Sequence, residues 1–271
     1  MRRTYLCTLG IIACLVLSGG RLLAQSSVDK AWSTLQSGLA EKGDNRVIAI
    51  RVLGLLEHNA KAAELASAAL ADEKPEVRAA GADALGQMHA KSAVPKLKEI
   101  IETDKDPSVV IASARSLITM GDPLGYAVYY AVLTGEKKSG GGLLDDQKKM
   151  LKDPKKMAQF GFEQGIGFIP FASVGLGAFK ALTKDDSSPV RAAAARILAK
   201  DPDPKSGEAL IEAASDKSWL VRAAALDALS HRGDPSAIAK IESLLGDDKE
   251  AVRYAAAATI IHLQDVEAAP K

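Results

Sequence analysis

The sequence predicts an all-α fold, a solenoid of about six to seven helical repeats with an irregular central insertion. The first observation is a motif that recurs with a period of about 31 residues. The second is its internal pattern, a valine followed eight residues later by leucine or isoleucine with alanines between, which marks one face of an α-helix. The third is composition: aromatic residues make up only 4% of the chain, and small alanines let helices pack closely.

Each copy of the motif predicts the first helix of a helical pair. Clear copies are PEVRAAGADALGQM from Pro75 and WLVRAAALDALSHR from Trp219, and a partial first unit carries Trp32, Leu35 and Leu39. The anchoring valines are Val47, Val77, Val109, Val190, Val221 and Val252, followed eight residues later by Leu55, Leu85, Leu117, Leu198, Leu229 and Ile260.

Short turns separate each first helix from a second one. Gly121-Asp122-Pro123 and Gly233-Asp234-Pro235 combine a helix-ending glycine, a capping aspartate and a first-turn proline. The second helices are predicted at AVPKLKEII, YAVYYAVL, GEALIEAA and AIAKIESLL. An aspartate also lies five residues before most anchoring valines, where it is expected to cap or order the turn between repeats: Asp72, Asp104, Asp185, Asp216 and Asp247.

The valine–arginine pairs with their alanine runs and the Gly-Asp-Pro turn resemble the HEAT-repeat family, in the short form of phycobilisome-lyase-like HEAT proteins. The resemblance covers roughly residues 28–133 and 184–264. It implies that the motif arginine pairs with an acidic residue of an adjacent repeat, giving a ladder through Arg78, Arg191, Arg222 and Arg253. Ile48 and Val110 replace that arginine in two copies, where the ladder is expected to lapse.

The middle of the chain departs from the repeat. We expect an irregular insertion at 134–173 within a single solenoid over 28–266, followed by a tail at 267–271. A glycine-rich hinge at 139–142 and a lysine-rich helix open the insertion, and all five phenylalanines follow. Ala178, Ala181 and Leu182 match the phase of a second helix, so 174–184 is expected to rejoin the solenoid.

The phenylalanine-rich stretch allows three interpretations. Its aromatic side chains could fill the core of an irregular repeat, or present an apolar surface to a protein partner. They could also enter a membrane surface, with the lysines at the headgroups. The stretch is too short for a helix that spans a membrane, and Pro170 and five glycines interrupt it.

The N-terminus predicts export. Residues 1–24 carry Arg2 and Arg3, then an uncharged apolar run and a small residue, Ala24, at a cleavage position typical of a signal peptide. An uncleaved membrane anchor and a lipoprotein signal at Cys14 are the alternatives. Both cysteines, Cys7 and Cys14, lie in this segment, so the mature chain has no disulfide. A bacterial periplasm or secretion fits this pattern.

Motifs for catalysis are missing from the sequence. All four histidines, His58, His89, His231 and His262, follow an anchoring valine by ten to twelve residues, where a histidine satisfies helix C-terminal carbonyls. HEAT-type iron hydroxylases use His-Glu dipeptides, which none of these histidines forms. No catalytic, cofactor-binding or metal-ligating residue is therefore assigned, and no cofactor is expected.

The predicted function is an exported HEAT-repeat scaffold that binds another protein through its concave face and central Gly/Phe-rich insertion. The alternatives are an enzyme resembling HEAT-type lyases or metal-dependent hydroxylases, with His231 and His262 as ligands, and a membrane-surface adaptor. Without residues 1–24 the net charge is about −2, which argues against nucleic-acid binding. The predicted partner-binding residues are Tyr130, Phe160, Phe162, Phe168, Phe171, Lys148, Lys149 and Trp219.

Overall fold

The computed structural model describes residues 27–134 and 188–269, and both ranges fold as helices joined by short turns. The α-helices are α1 (27–40), α2 (Asp44–Val52), α3 (Ala60–Ala69), α4 (Pro75–Gln87), α5 (Val94–Thr103), α6 (Pro107–Thr119), α7 (Leu124–Thr134), α8 (Ser188–Leu198), α9 (Pro204–Ala213), α10 (Trp219–Arg232), α11 (Ile238–Ile241) and α12 (Glu250–Ala268). Short 3-10 turns extend α2 and flank α11. This architecture confirms the predicted all-α solenoid.

The first helices of the repeats are α2, α4, α6, α8, α10 and α12, and their anchoring valines form the core. Five of the six valines are at most 7% exposed. Val190 on α8 differs from the other five, with 71% of its surface exposed. The residues that precede α8 in the chain, 135–187, lie outside the described structure.

The predicted arginine ladder is present and uses the recurring aspartates. Arg78 donates from Nε and Nη2 to the Asp104 carboxylate at 2.7 and 2.9 Å. The same paired geometry joins Arg191 to Asp216 at 3.0 Å and Arg222 to Asp247 at 2.8 and 2.7 Å. Each of these aspartates also accepts a hydrogen bond from the backbone amide two residues later, as expected of a turn-ordering residue. One carboxylate thus fixes the turn and links two repeats.

The ladder does not lapse at Ile48, which corrects the expectation from the sequence. Arg46, two residues earlier, reaches Asp72 instead, with Nη2 and Oδ2 2.8 Å apart. The last rung also differs. Arg253 donates to the Asp247 carbonyl at 2.6 Å and to Glu250 of its own helix at 2.9 Å.

Glycine and histidine share the role of ending first helices. Gly121 and Gly233 adopt the left-handed region, with φ of 82° and 66°, as the Gly-Asp-Pro turns require. His89 takes up the same conformation at the corresponding position, twelve residues after its valine, with φ of 50°, and His58 does so eleven residues after Val47, with φ of 62°. Histidine adopts this region more readily than most non-glycine residues.

The two ends of the described chain meet. Helix α12 packs against α2, and Tyr254 of α12 lies buried at 2% exposure beside Gly38 of α1. A Cβ on Gly38 would lie 2.6 Å from the Tyr254 ring, so glycine makes room for the ring. The Tyr254 hydroxyl donates to Glu41 Oε1 at 2.8 Å. Burial and this carboxylate both raise the pKa of Tyr254.

Polar contacts between chain ends reinforce this closure. Lys30 Nζ lies 3.2 Å from Glu242 Oε1, and Asn59 Nδ2 donates to Asp265 Oδ2 at 2.7 Å. The first helices therefore form a continuous series of contacts in which α8, α10 and α12 lead into α2, α4 and α6. The sequence pattern does not reveal this contact between the first and last repeats.

The predicted signal segment 1–24 and the predicted insertion residues Lys148, Lys149, Phe160, Phe162, Phe168 and Phe171 lie outside the described ranges. Within those ranges, no helix combines the length and apolar character that crossing a bilayer demands.

Candidate functional site: a polar cavity at the ends of the first helices

A cavity of about 490 Å³ lies where the C-terminal parts of the first helices converge. Its lining comes from all six of these helices or the turns that follow them. The lining residues are Gly54, Leu55, Glu57, Gln87, His89, Thr119, Arg196, Ala199, Lys200, Asp227, Ser230, His231 and His262. The closure of α12 onto α2 brings His262 and Glu57 to the same cavity, so the site depends on contacts between the chain ends.

One register of the repeat supplies the polar lining. The tenth residue after each anchoring valine lines the cavity in all six copies, and in all six it is polar: Glu57, Gln87, Thr119, Lys200, His231 and His262. These residues are called the tenth-position residues below. The buried apolar face ends two residues earlier, at the eighth position, where Leu55, Leu85, Leu117, Leu229 and Ile260 are buried.

The sixth position adds charges on neighbouring first helices. Asp83 of α4 and Arg115 of α6 form an ion pair, and Arg196 of α8 lies near Asp227 of α10. Burial raises the pKa of Asp227, although Arg196 and His231 both favour its charged form. The Arg196–Asp227 side of the cavity thus carries a carboxylate whose charge is poorly solvated.

Two histidines of the cavity differ in their hydrogen bonding and burial. The Nδ1–H of His231 donates to the Asp227 carbonyl at 2.9 Å, which leaves Nε2 as the free nitrogen of that ring. His262 is more enclosed. Burial lowers its pKa, nearby Glu57 and Asp265 oppose the shift, and His231 and His58 add to it. His262 is therefore held toward its neutral form.

Several buried nitrogen atoms of the lining have no hydrogen-bond partner among the described residues. They are the Nε2 atom of Gln87, the Nε atom of Arg196 and the Nδ1 atom of His262. Unpaired polar atoms of this kind are uncommon in folded proteins. The Gln87 and Arg196 atoms are donors, whereas the role of His262 Nδ1 depends on its tautomer.

The predicted site residues within the described ranges lie elsewhere. Tyr130 of α7 is 60% exposed, as is its neighbour Tyr126 at 66%, whereas Tyr129 packs against the core. Trp219 is half-buried and packs against the core at the start of α10. Neither Tyr130 nor Trp219 lines the cavity, so the structure does not join these residues into one site.

The histidines that the sequence singled out as possible metal ligands do meet at the cavity. His231 and His262 both line it, together with His89, which was not a candidate ligand. Among the residues that the structure describes, however, no three or more His, Cys, Asp or Glu side chains are arranged to hold a metal ion. Sequence reasoning missed Glu57, Gln87, Thr119 and Lys200, although they occupy the same tenth position as His231 and His262.

Comparison with known proteins places this architecture in a family. A family model described as HEAT repeats matches residues 33–123 and 177–261, which is more than half of the chain. No curated protein matches the sequence.

Two solved structures resemble the chain. Human deoxyhypusine hydroxylase in complex with glycerol is 18% identical over 91% of this chain and 99% of that chain, with a TM-score of 0.34. The complex of CpcE and CpcF of phycocyanin lyase from Nostoc sp. PCC7120 is 22% identical over 85% of this chain and 92% of that chain, with a TM-score of 0.33. Similarities this weak carry no conclusion about function. The two matched ranges, the repeated helical pairs and the arginine–aspartate ladder agree: the chain belongs to the HEAT-repeat family.

Proposed function

We propose that the protein is an exported HEAT-repeat scaffold that binds a protein partner, and that the polar cavity receives a polar segment of that partner. The observation that carries the proposal is the tenth position. Six repeats place a polar side chain there, and all six line one cavity of about 490 Å³. Such a volume falls in the range of sites that bind small molecules or a few residues of peptide.

Charge and hydrogen-bonding capacity describe the segment that would fit. Arg196 on α8 and Lys200 just after it supply positive charge. Asp227 of α10 supplies negative charge, as does Glu57, which follows α2. A segment with both donors and acceptors, such as exposed peptide backbone with polar side chains, satisfies this mixed lining better than a single ion does.

A second surface supports partner binding. Tyr126 and Tyr130 are exposed on α7, one helical turn apart. Exposed tyrosines favour protein interfaces because they bury a large ring and keep a polar hydroxyl. The two tyrosines immediately precede residues 135–187, which include the predicted Gly/Phe-rich insertion, so the exposed surface of α7 and the insertion are adjacent in sequence.

The test is affinity capture from the extracellular or periplasmic fraction of the source organism, with residues 25–271 as bait. Lys200→Glu reverses a charge in the cavity, and Lys205→Glu on exposed α9 is the matched control outside it. A partner that is retained by the control and lost with Lys200→Glu supports the proposal. Equal capture by the unaltered chain and both variants contradicts a role for the cavity.

A further inference from the structure

The exposed face of α8 is an apolar stripe with no counterpart elsewhere in the described array. Val190, Ala193, Ala194 and Ile197 are all exposed, and they follow the spacing of one helix face. Val190 is 71% exposed and Ile197 is 75% exposed. The corresponding residues of α10, Val221, Ala224, Ala225 and Ala228, are at most 3% exposed.

The other repeats show what covers this stripe. Val77 and Ala80 of α4 belong to one buried cluster with Ala69 of the preceding second helix, α3, and with Val47 and Ile50 of the preceding first helix. The anchoring valine and the residue three positions later therefore pack against both helices of the repeat before them.

Two further contacts assign the rest of the stripe. A Cβ on Gly81, four positions after Val77, would lie 2.8 Å from the Ala66 carbonyl of α3, so this position faces the preceding second helix. The seventh position faces the preceding first helix: Ser116 donates to the Ala82 carbonyl at 2.8 Å, and Thr259 donates to the Leu226 carbonyl at 3.1 Å. A helix that exposes the valine and the third, fourth and seventh residues after it has no preceding repeat packed against it in the described part of the chain.

We propose that the α8 stripe is the docking surface for this chain's own residues 174–184, as the second helix of the repeat before α8. The register of the sequence supports this occupant. Eight residues before the valine, the second helices place Ala69, Ile101, Ala213 and Leu244 in or against the core, and Leu182 holds that position before Val190. Asp185 also precedes Val190 by the same five residues as the turn aspartates of other repeats.

Chain length and the family match point to the same occupant. The HEAT match resumes at residue 177, which is eleven positions before α8 begins. Residues 135–187 exceed one repeat of about 31 residues, so the chain can build this repeat and still hold an insertion. The segment is also covalently continuous with α8, and its effective concentration at the stripe far exceeds that of a second copy.

The docking divides the central stretch in two. Leu182 and Phe179, three residues apart, would turn toward the core, and the predicted partner-binding residues Phe160, Phe162, Phe168 and Phe171 would lie outside the second helix. This inference concerns the fold of the array and stands whether or not a partner binds the cavity.

Thiol labelling tests the docking directly, because the chain from residue 25 onward contains no cysteine. Val190→Cys is compared with Val221→Cys, which is 1% exposed, and with Tyr126→Cys, which is 66% exposed. We expect Val190→Cys to react at least about tenfold more slowly than Tyr126→Cys, as a covered site does. Adding Leu182→Asp should raise its rate to that of Tyr126→Cys while Val221→Cys stays protected.

Two results would overturn the proposal. In the first, Val190→Cys is not protected and reacts at the rate of Tyr126→Cys in the otherwise unaltered chain. In the second, the protection of Val190→Cys disappears on dilution and does not change when Leu182→Asp is added. That result would show that a second copy of the chain covers the stripe.

Discussion

Replacing Arg222 with methionine tests whether the ladder stabilises the array. The guanidinium contacts Asp247 through two bonds and also donates to the carbonyls of Asp216 and Lys217 at 2.9 and 3.3 Å. The side chains of Arg222 and Asp247 are only 12% and 7% exposed. Removing one partner of a buried pair costs about 3–5 kcal/mol, whereas exposed pairs contribute about 0.2–1 kcal/mol. Because this pair is partly screened, we expect Arg222→Met to cost about 3 kcal/mol.

Ion pairs that are more exposed than Arg222–Asp247 should contribute less to the free energy of unfolding. The Arg191 and Asp216 side chains are 35% and 18% exposed, so Arg191→Met should cost about 1–2 kcal/mol. Lys96→Met is the control, because its pair with Glu99 is at least half exposed, and it should change stability by less than about 0.5 kcal/mol. Urea unfolding followed by circular dichroism measures all three. A loss for Arg222→Met no larger than that for Lys96→Met would refute the reasoning.

Acid provides an independent check on the same rung. Burial alone would raise the pKa of Asp247, but hydrogen bonds from Arg222 and from the Lys249 amide hold it below its ordinary value. A carboxylate with a lowered folded-state pKa stabilises the fold above its unfolded-state pKa, near 4, and loses that contribution as the pH falls through the folded value. The difference between the unaltered chain and Arg222→Met should therefore shrink below about pH 4.

Three further predictions concern the closure and the cavity. Tyr254→Phe removes the hydroxyl that donates to Glu41, and urea unfolding should show a loss of about 1.5–3 kcal/mol. Tyr126→Phe, at an exposed site, should cost less than about 0.5 kcal/mol. Equal costs would contradict the closure. Burial lowers the pKa of His262, so stability should decline as the pH falls below about 6.5, where the unfolded chain takes up the proton first. His262→Gln should flatten that slope between pH 7 and 5, and an unchanged slope would exclude His262 as its cause. Metal analysis of the purified chain should find no stoichiometric iron or zinc, and finding either would favour the enzyme alternative with His231 and His262 as ligands.

Local repetition made most of the fold predictable. The first helices follow from the valine–leucine spacing, because six copies of an apolar face specify the same packing. The turns follow from Gly-Asp-Pro, and Gly121 and Gly233 take the backbone conformation that this motif requires. The predicted second helices do not include α3, whose sequence AKAAELASAA consists mostly of alanine and lacks the larger apolar residues of the others.

Contacts between distant residues were not predictable from the repeat. The pairing of Tyr254 with Glu41 joins the first and last units, and nothing in either unit alone encodes it. The aspartates were assigned to turns correctly, but their pairing with arginines came only from the family resemblance. The cavity was partly visible in His231 and His262, and a comparison of all tenth-position residues would have shown the remaining four.

The closure of the chain ends is the central structural claim, because it brings His262 and Glu57 to one cavity. Zero-length carbodiimide coupling tests it without substitutions: Lys30 Nζ and Glu242 Oε1 lie 3.2 Å apart across the junction, and both side chains are accessible. Lys96 and Glu99, 2.8 Å apart on α5, provide the internal positive control. We predict that mass spectrometry of the monomer finds both linked pairs. A linked control pair without a Lys30–Glu242 product would contradict the closed arrangement.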